Sequence, residues 1–146
     1  MIRISVEHSG LDIHVFARNI DKRLIQPLVE RLASRAEQIM REKAPVRTGV
    51  LRASIMKEVR DGGAVIRPTV PYAVYAETGT SPHEIQPVHA KALRFEVAGR
   101  LVFATRVQHP GSRPQPFIRE TVDQVVQEMT GLYEQVFREA IENDMV

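Results

Sequence analysis

Two long segments with apolar residues at helical spacing, one near each end of the chain, most constrain the fold. The first runs from Leu24 to Met40 and the second from Phe117 to Ile141. In the second segment the apolar positions, several of them adjacent pairs such as Val136-Phe137, mark one face, and acidic residues follow the rest. A helix with one apolar face needs other elements to cover it. The pattern therefore predicts two long amphipathic helices.

Local signals indicate where these helices begin and end. Asp21 is a plausible N-cap for the first helix, and Ala44-Pro45 is a stop signal because proline disfavours helical backbone in the residue before it. Residues 109–116 hold three prolines, which exclude a regular element before Phe117. The sequence thus indicates both ends of the first helix and the start of the second.

Between and before the helices the apolar residues alternate with polar ones, as in half-buried strands. Residues 2–6 and 11–15 alternate around Ser9-Gly10 and predict a strand or hairpin. Two further hairpins are predicted. The first pairs residues 55–60 with 64–70 around the turn Asp61-Gly62-Gly63, and the second pairs 92–97 with 101–107 around Ala98-Gly99-Arg100.

Shorter segments connect these elements. Residues 50–55 fit either one helical turn or an extended run, and Pro71 to Gly79 predict a short helix that starts at proline and ends at glycine. Residues 80–91 predict a loop. We expect a single α+β domain over 1–146, in which an antiparallel β-sheet with two hairpins packs against two long α-helices, with a Pro-rich loop.

The composition excludes several classes of chemistry. The chain has no cysteine, so it forms no disulfide and no thiolate metal site, and no segment has the roughly 18 apolar residues of a membrane span. The charged, alternating start does not resemble a signal peptide, so we expect cytoplasmic synthesis. No Gly-x-Ser-x-Gly, phosphate-loop or His-Glu-x-x-His signature is present.

Two groups of residues could still carry chemistry. The loop residues His83, Glu84, His89 and His109 could bind zinc, as in a small metallohydrolase, but they match no compact ligand spacing, and nothing places Glu77 beside a histidine as an acid-base pair. We expect no catalytic residue, metal or cofactor. The cluster Arg41, Lys43, Arg47 and Arg52 could bind phosphate, which gives the alternative function of a nucleic-acid-binding module. Cations at a helix C-terminus also complement the helix dipole without a ligand.

Three motifs occur in series along the chain. They are Ala44-Pro45-Val46-Arg47-Thr48-Gly49-x-Leu51-Arg52-x-Ser54-Ile55, Pro71-Tyr72-Ala73-x-Tyr75-x-Glu77-x-Gly79-Thr80 and Pro114-x-Pro116-Phe117-Ile118-Arg119. Their order and spacing resemble the tail-component family of siphophages and prophages, which includes minor tail, tail-completion and neck proteins. The resemblance extends from residue 24 to about residue 140.

This resemblance implies a structural virion protein that is not an enzyme. It implies an α+β subunit that forms a ring, with six copies expected, at the head-tail junction or the upper end of the tail. The implied partners are further copies, a head connector or stopper protein, and a tail tube or terminator protein, while DNA passes through the channel without sequence-specific binding. The implied location is the virion neck or tail, after synthesis in the host cytoplasm.

Candidate contacts between subunits follow from the motifs and from charge. Residues 83–119 carry six basic and two acidic side chains, and residues 120–146 carry one and seven. We therefore hypothesise that the basic region of one subunit meets the acidic helix of its neighbour. The candidate interface residues are Arg47, Thr48, Gly49, Arg52, Tyr72, Tyr75, Glu77, Arg106, Arg113, Phe117 and Arg119.

Overall fold

The structure is a computed structural model that describes residues 2–7, 9–15 and 22–144. The strands in chain order are β1 Ile2–Glu7, β2 Gly10–Val15, β3 Ile55–Arg60, β4 Gly63–Pro68, β5 His83–Ile85, β6 Leu93–Val97, β7 Arg100–Ala104 and β8 Val107–His109. The helices are α1 Lys22–Lys43, α2 Val50–Ala53, α3 Ala73–Thr78 and α4 Phe117–Asp144. The predicted N-cap Asp21 lies outside the described residues.

The main sheet is antiparallel, with the strand order β1-β2-β4-β3. In its register Leu11 faces Ile66 and Ile13 faces Ala64, and all four side chains are at most 2% exposed. Asp12, Val65 and Arg67, which point to the opposite face, are half-buried or exposed. This alternation confirms the predicted N-terminal hairpin and the first of the two central hairpins, and it gives the sheet one face for the core.

Helix α1 covers that face, and α4 packs along α1. The buried stripe of α1 includes Val29, Leu32, Ala36 and Ile39, which recur at helical spacing and are fully shielded from solvent. Phe117, at the start of α4, is 1% exposed and is among the largest buried side chains. The two predicted long helices are therefore confirmed, and they share one core with the sheet.

Among the side chains that the structure describes, three ion pairs join α1 to α4 along their length. Arg31 pairs with Glu139, and Lys43 pairs with Glu120 at 3.5 Å. Between these two, the Arg35 guanidinium donates hydrogen bonds of 2.5 and 2.8 Å to the carboxylate of Glu128. These bonds, together with one from Gln124, lower the pKa of Glu128 to about 2. Several acidic residues of α4 thus face α1 within the same subunit. Asp123, Glu134 and Glu142, the other α4 acids whose side chains the structure describes, form no ion pair with a described residue.

Within the described part of the chain there are four helices: the two long ones, the short helix α3 that the sequence predicts, and α2, because residues 50–53 take the helical alternative. The fold departs from the prediction in two respects. The hairpin β6–β7 is a separate two-stranded sheet and not part of the main one. The predicted loop 80–91 contains β5, which pairs with β8.

The strand β5 escaped prediction for a physical reason. Three residues are too few to display a period of two, and Pro82 and Pro87 stand just outside the strand, where they do not interrupt its hydrogen bonds. None of the helices in the described ranges is long and apolar enough to cross a membrane.

Candidate functional site

The first motif forms a turn that the core anchors at both ends. Ala44 and Leu51 are 3% and 5% exposed, so the chain is fixed before and after the turn. Between them Gly49 has φ 82°, a left-handed conformation that glycine adopts without strain, and it begins α2. Arg47 and Arg52 are consequently held on the outside, exposed to solvent.

The second motif is joined to the third by a carboxylate. Glu77 is 8% exposed, and its two oxygens accept hydrogen bonds from the backbone N–H groups of Ile118 at 2.8 Å and Arg119 at 3.1 Å. These groups belong to the first turn of α4, where no helical carbonyl is available to them. A negative charge at this end also interacts favourably with the helix dipole. Glu77 is therefore a cap of α4 supplied by a distant part of the sequence.

Backbone contacts strengthen the same junction. The N–H of Gln115 donates to the carbonyl of Ala76 at 2.9 Å, and Thr80 and Ser112 exchange backbone hydrogen bonds of 3.0 and 3.1 Å. Gly79 has φ 73°, and a Cβ there would lie 2.5 Å from the Ser112 carbonyl oxygen. No larger residue fits without movement of the backbone.

The three motifs converge on one surface. A cavity of about 530 Å³ is lined by residues of all three, namely Pro45, Val46, Arg47, Thr48, Gly49, Leu51, Tyr72, Ala76 and Gln115. Val46 and Tyr72 at its edge are 57% and 46% exposed, and the adjacent Tyr75 is 60% exposed. We call this region, residues 45–49 with Tyr72, Tyr75 and Gln115, the motif surface. It offers exposed apolar and aromatic area on a rigid base.

The structure divides the candidate interface residues into three groups. Arg47, Thr48, Gly49, Tyr72 and Tyr75 lie on or beside the motif surface, and Arg52 is exposed close by in α2. The exposed Arg106, Arg113 and Arg119 lie elsewhere, and Arg106 is 3.8 Å from Glu84 of the same subunit.

Glu77 and Phe117 form the third group, and both are engaged inside the subunit. Glu77 bonds to the backbone of α4, and Phe117 fills the core. Their side chains therefore stabilise the surface from beneath and do not present themselves to a neighbour. The motif spacing identified both residues, but only the tertiary structure reveals that they act within the subunit.

The loop histidines are only partly brought together. His83 and His109 face each other across β5 and β8, with ring centroids 5.0 Å apart. His83 Nδ1 lies 2.9 Å from the Ser81 carbonyl oxygen, and the N–H of Gly111 donates to His109 Nδ1 at 3.1 Å. Among the residues that the structure describes, no three His, Asp or Glu side chains are placed to hold a metal ion.

The basic cluster is also divided. Arg41 pairs with Glu37 at 2.9 Å and donates to the Ile55 carbonyl at 2.9 Å, and Lys43 pairs with Glu120. Two of the four cations therefore interact within the fold, and the other two, Arg47 and Arg52, are exposed at the surface.

Sequence reasoning missed a second exposed apolar surface, on α4. The adjacent apolar pairs were assigned to one buried face, but neighbouring residues point about 100° apart on a helix. Val125, Leu132 and Val136 turn toward the core. The residues that follow them in the sequence, together with Ile141, point outward and form an exposed line along the helix. We call this line the α4 stripe; it consists of Val126, Tyr133, Phe137 and Ile141, which are 44% to 47% exposed. The repeated apolar pairs in the sequence could have revealed this stripe, because they make an apolar face too wide for one partner helix to cover.

Fold and surface together define an α+β domain whose three motifs build one contact surface. Residues 12–79, which are 68 of the 146 residues, match the family model described as "Bacteriophage HK97-gp10, putative tail-component". Over these residues the match confirms the resemblance to the siphophage tail-component family. It covers the first motif and the second as far as Gly79, and it ends before the third. No curated protein and no solved structure matches the chain.

Proposed function

We propose that the protein is a non-enzymatic structural component of a long-tailed phage or phage-like particle, assembled as a ring at the head-tail junction or the upper end of the tail. The observation that carries the proposal is the match of residues 12–79 to the phage tail-component family. The motif surface supports it, because it exposes Val46, Tyr72 and Tyr75 on a rigid framework, as a contact between proteins requires.

A ring requires one face of the subunit to fit a different face of the next copy. The subunit offers several apolar surfaces of different composition, among them the motif surface with Arg47 and the α4 stripe beside acidic residues. In the proposed assembly six copies surround a channel through which DNA passes without sequence-specific contacts. The neighbours above and below are a head connector or stopper protein and a tail tube or terminator protein. The protein is made in the host cytoplasm and ends in the neck or tail of the virion.

Electron microscopy of particles from the phage or prophage that encodes the chain tests this proposal. The expected result is a symmetric ring of this chain around the channel between head and tail. Absence of the chain from every particle would refute the proposal, and salt-dependent binding of the free protein to DNA would then be tested, with Arg47→Glu and Arg52→Glu as the variants.

A matched pair of variants assigns the role of the motif surface. Tyr72→Glu is expected to abolish incorporation into particles and leave the fold intact, because Tyr72 is 46% exposed. Met56→Glu places the same charge on the outer face of the main sheet, at a residue that is 60% exposed, and is expected to assemble normally. Equal incorporation of the two variants would exclude the motif surface as a contact.

A further inference from the structure

The hairpin β6–β7 has apolar residues exposed without a partner in its own subunit. Among the described elements the two strands have extensive contacts only with each other. Leu101 and Phe103 share one face of the hairpin, as the register places them opposite Glu96 and Arg94, and they are 57% and 65% exposed. A two-stranded hairpin alone is marginally stable in water, so this face gains stability if another surface covers it.

The hairpin is also basic. Lys91, Arg94 and Arg100 form no ion pair with any described residue, and Glu96 is the acidic residue between them in sequence. Arg94 lies directly opposite Phe103, so a cation and an aromatic ring stand side by side on the exposed face, where Glu96 lies opposite Leu101. The hairpin as a whole carries these three basic residues and one acidic residue, and it fits an apolar surface edged by acidic groups.

The α4 stripe has that chemistry. Its residues recur at intervals of seven, four and four, which keeps them within one narrow face of the helix, and the rings of Tyr133 and Phe137 stack with centroids 6.0 Å apart. On the side of the stripe that faces away from the core, the helical spacing places Asp123 and Glu134, which form no ion pair with any described residue. Glu128 and Glu139, which pair with α1, lie on the opposite face of the helix from the stripe.

We infer that the β6–β7 hairpin of one subunit docks on the α4 stripe of the next. Leu101 and Phe103 cover Tyr133 and Phe137, and Arg94, on the same face of the hairpin, approaches Glu134. The dimensions agree, since five strand residues span about 17 Å and the stripe from Val126 to Ile141 about 22 Å. Hairpin and stripe are different surfaces, so each subunit gives one and receives one, and the contact can propagate around a ring.

This inference rests on the proposed function and makes it specific, because it names the surfaces that join neighbouring copies. The absence of cysteine from the sequence makes the test direct. The single variants Leu101→Cys and Phe137→Cys are mixed and treated with a short thiol-specific cross-linker. We expect a cross-linked dimer in the mixture at least about tenfold above that in either variant alone, and a ladder of higher species from the double variant. Met56→Cys mixed with Phe137→Cys is the control and is expected to stay at background.

Charge reversal supplies the second measurement. Arg94→Glu and Glu134→Arg are each expected to reduce cross-linking severalfold, and the two together to restore it. Added salt is expected to weaken the wild-type contact. Background cross-linking in all mixtures would overturn the inference, whether the protein is monomeric or oligomeric. If particles contain a ring of this chain but cross-linking stays at background, the proposed function stands and the inference fails. If the variants cross-link into rings but the chain is absent from all particles, the inference stands and the proposed function fails.

Discussion

The body of the subunit, meaning the described residues outside 80–113, and the 80–113 segment differ in how far their side chains are buried. In the body, the buried polar residues Glu77 and Thr121 both have partners, and the described residues contain no buried side-chain polar atom without a hydrogen bond. In the 80–113 segment, Val97, Leu101 and Phe103 are more than half exposed. The body thus supplies every buried residue among those that the structure describes, and no residue of the 80–113 segment is buried.

This comparison is tested most strongly by making one substitution in each region. Phe117→Ala removes a ring that is 1% exposed and leaves a cavity in the core. We expect a loss of about 3–5 kcal/mol in the free energy of unfolding. Urea denaturation followed by circular dichroism measures it.

Phe103→Ala is the matched control, because its ring is 65% exposed. It is expected to change the free energy of unfolding of the isolated subunit by less than about 0.5 kcal/mol. Similar losses in the free energy of unfolding for the two variants would show that Phe103 is packed in the core. The difference between the two regions would then not exist.

The cap of α4 is expected to have the next largest effect. Glu77→Ala leaves the N–H groups of Ile118 and Arg119 without their acceptor in a buried position. We expect a loss of about 1–3 kcal/mol. Glu77→Gln retains one accepting oxygen and is expected to lose less, and Glu96→Ala on the exposed hairpin is expected to lose almost nothing. If Glu77→Ala proves as stable as Glu96→Ala in urea denaturation, the carboxylate does not hold the second and third motifs together.

The sequence predicted much of the body because its elements are long or have strong turn signals. Helices α1 and α4 repeat their pattern over many turns, and Asp61-Gly62 identifies the β3–β4 hairpin. The role of Glu77 was not predictable, since its partners lie about 40 residues away and helical spacing says nothing of tertiary contacts. The separation of β6–β7 from the main sheet was not predictable either, because alternation gives a strand but not its neighbour.

The candidate site was predicted as a set of motifs but not as a geometry. Motif order and spacing identified Arg47, Tyr72 and Gly79, and the structure brings their segments together around one cavity. The α4 stripe was missed because a wide apolar face gives the same periodicity whether one or two partners cover it. Only the position of α1 divides that face into a buried half and an exposed half.

The pair between Arg35 and Glu128 gives the body a dependence on pH. The hydrogen bonds from Arg35, followed by that from Gln124, lower the pKa of Glu128 from 4.5 to about 2. Because the pKa is lower in the folded state, the ionised carboxylate stabilises the fold at pH values above the ordinary pKa. This stabilisation is lost as the pH falls from about 4.5 toward about 2.

Glu128→Gln is therefore expected to melt at a lower temperature than the wild type near neutral pH, with a difference that closes on acidification through that window. The effect should be smaller than that of Glu77→Ala because water reaches the pair. Glu134→Gln, which removes an α4 carboxylate without an ion pair to any described residue, is the control. If the wild type and Glu128→Gln keep the same separation from neutral pH to pH 2, the pair is not the source of the dependence.

The smallest global effect is expected at the turn of the hairpin. Ala98 and Gly99 both have positive φ, 50° and 77°, as in the two-residue turn that suits a hairpin, and this backbone is strained for alanine. Ala98→Gly is expected to relieve about 1 kcal/mol locally. Because β6 and β7 have extensive contacts only with each other among the described elements, that gain should appear as slower hydrogen exchange in the hairpin, with the global free energy of unfolding unchanged. A matching increase in global stability would instead show that hairpin and body unfold together, and the two regions would then be one cooperative unit.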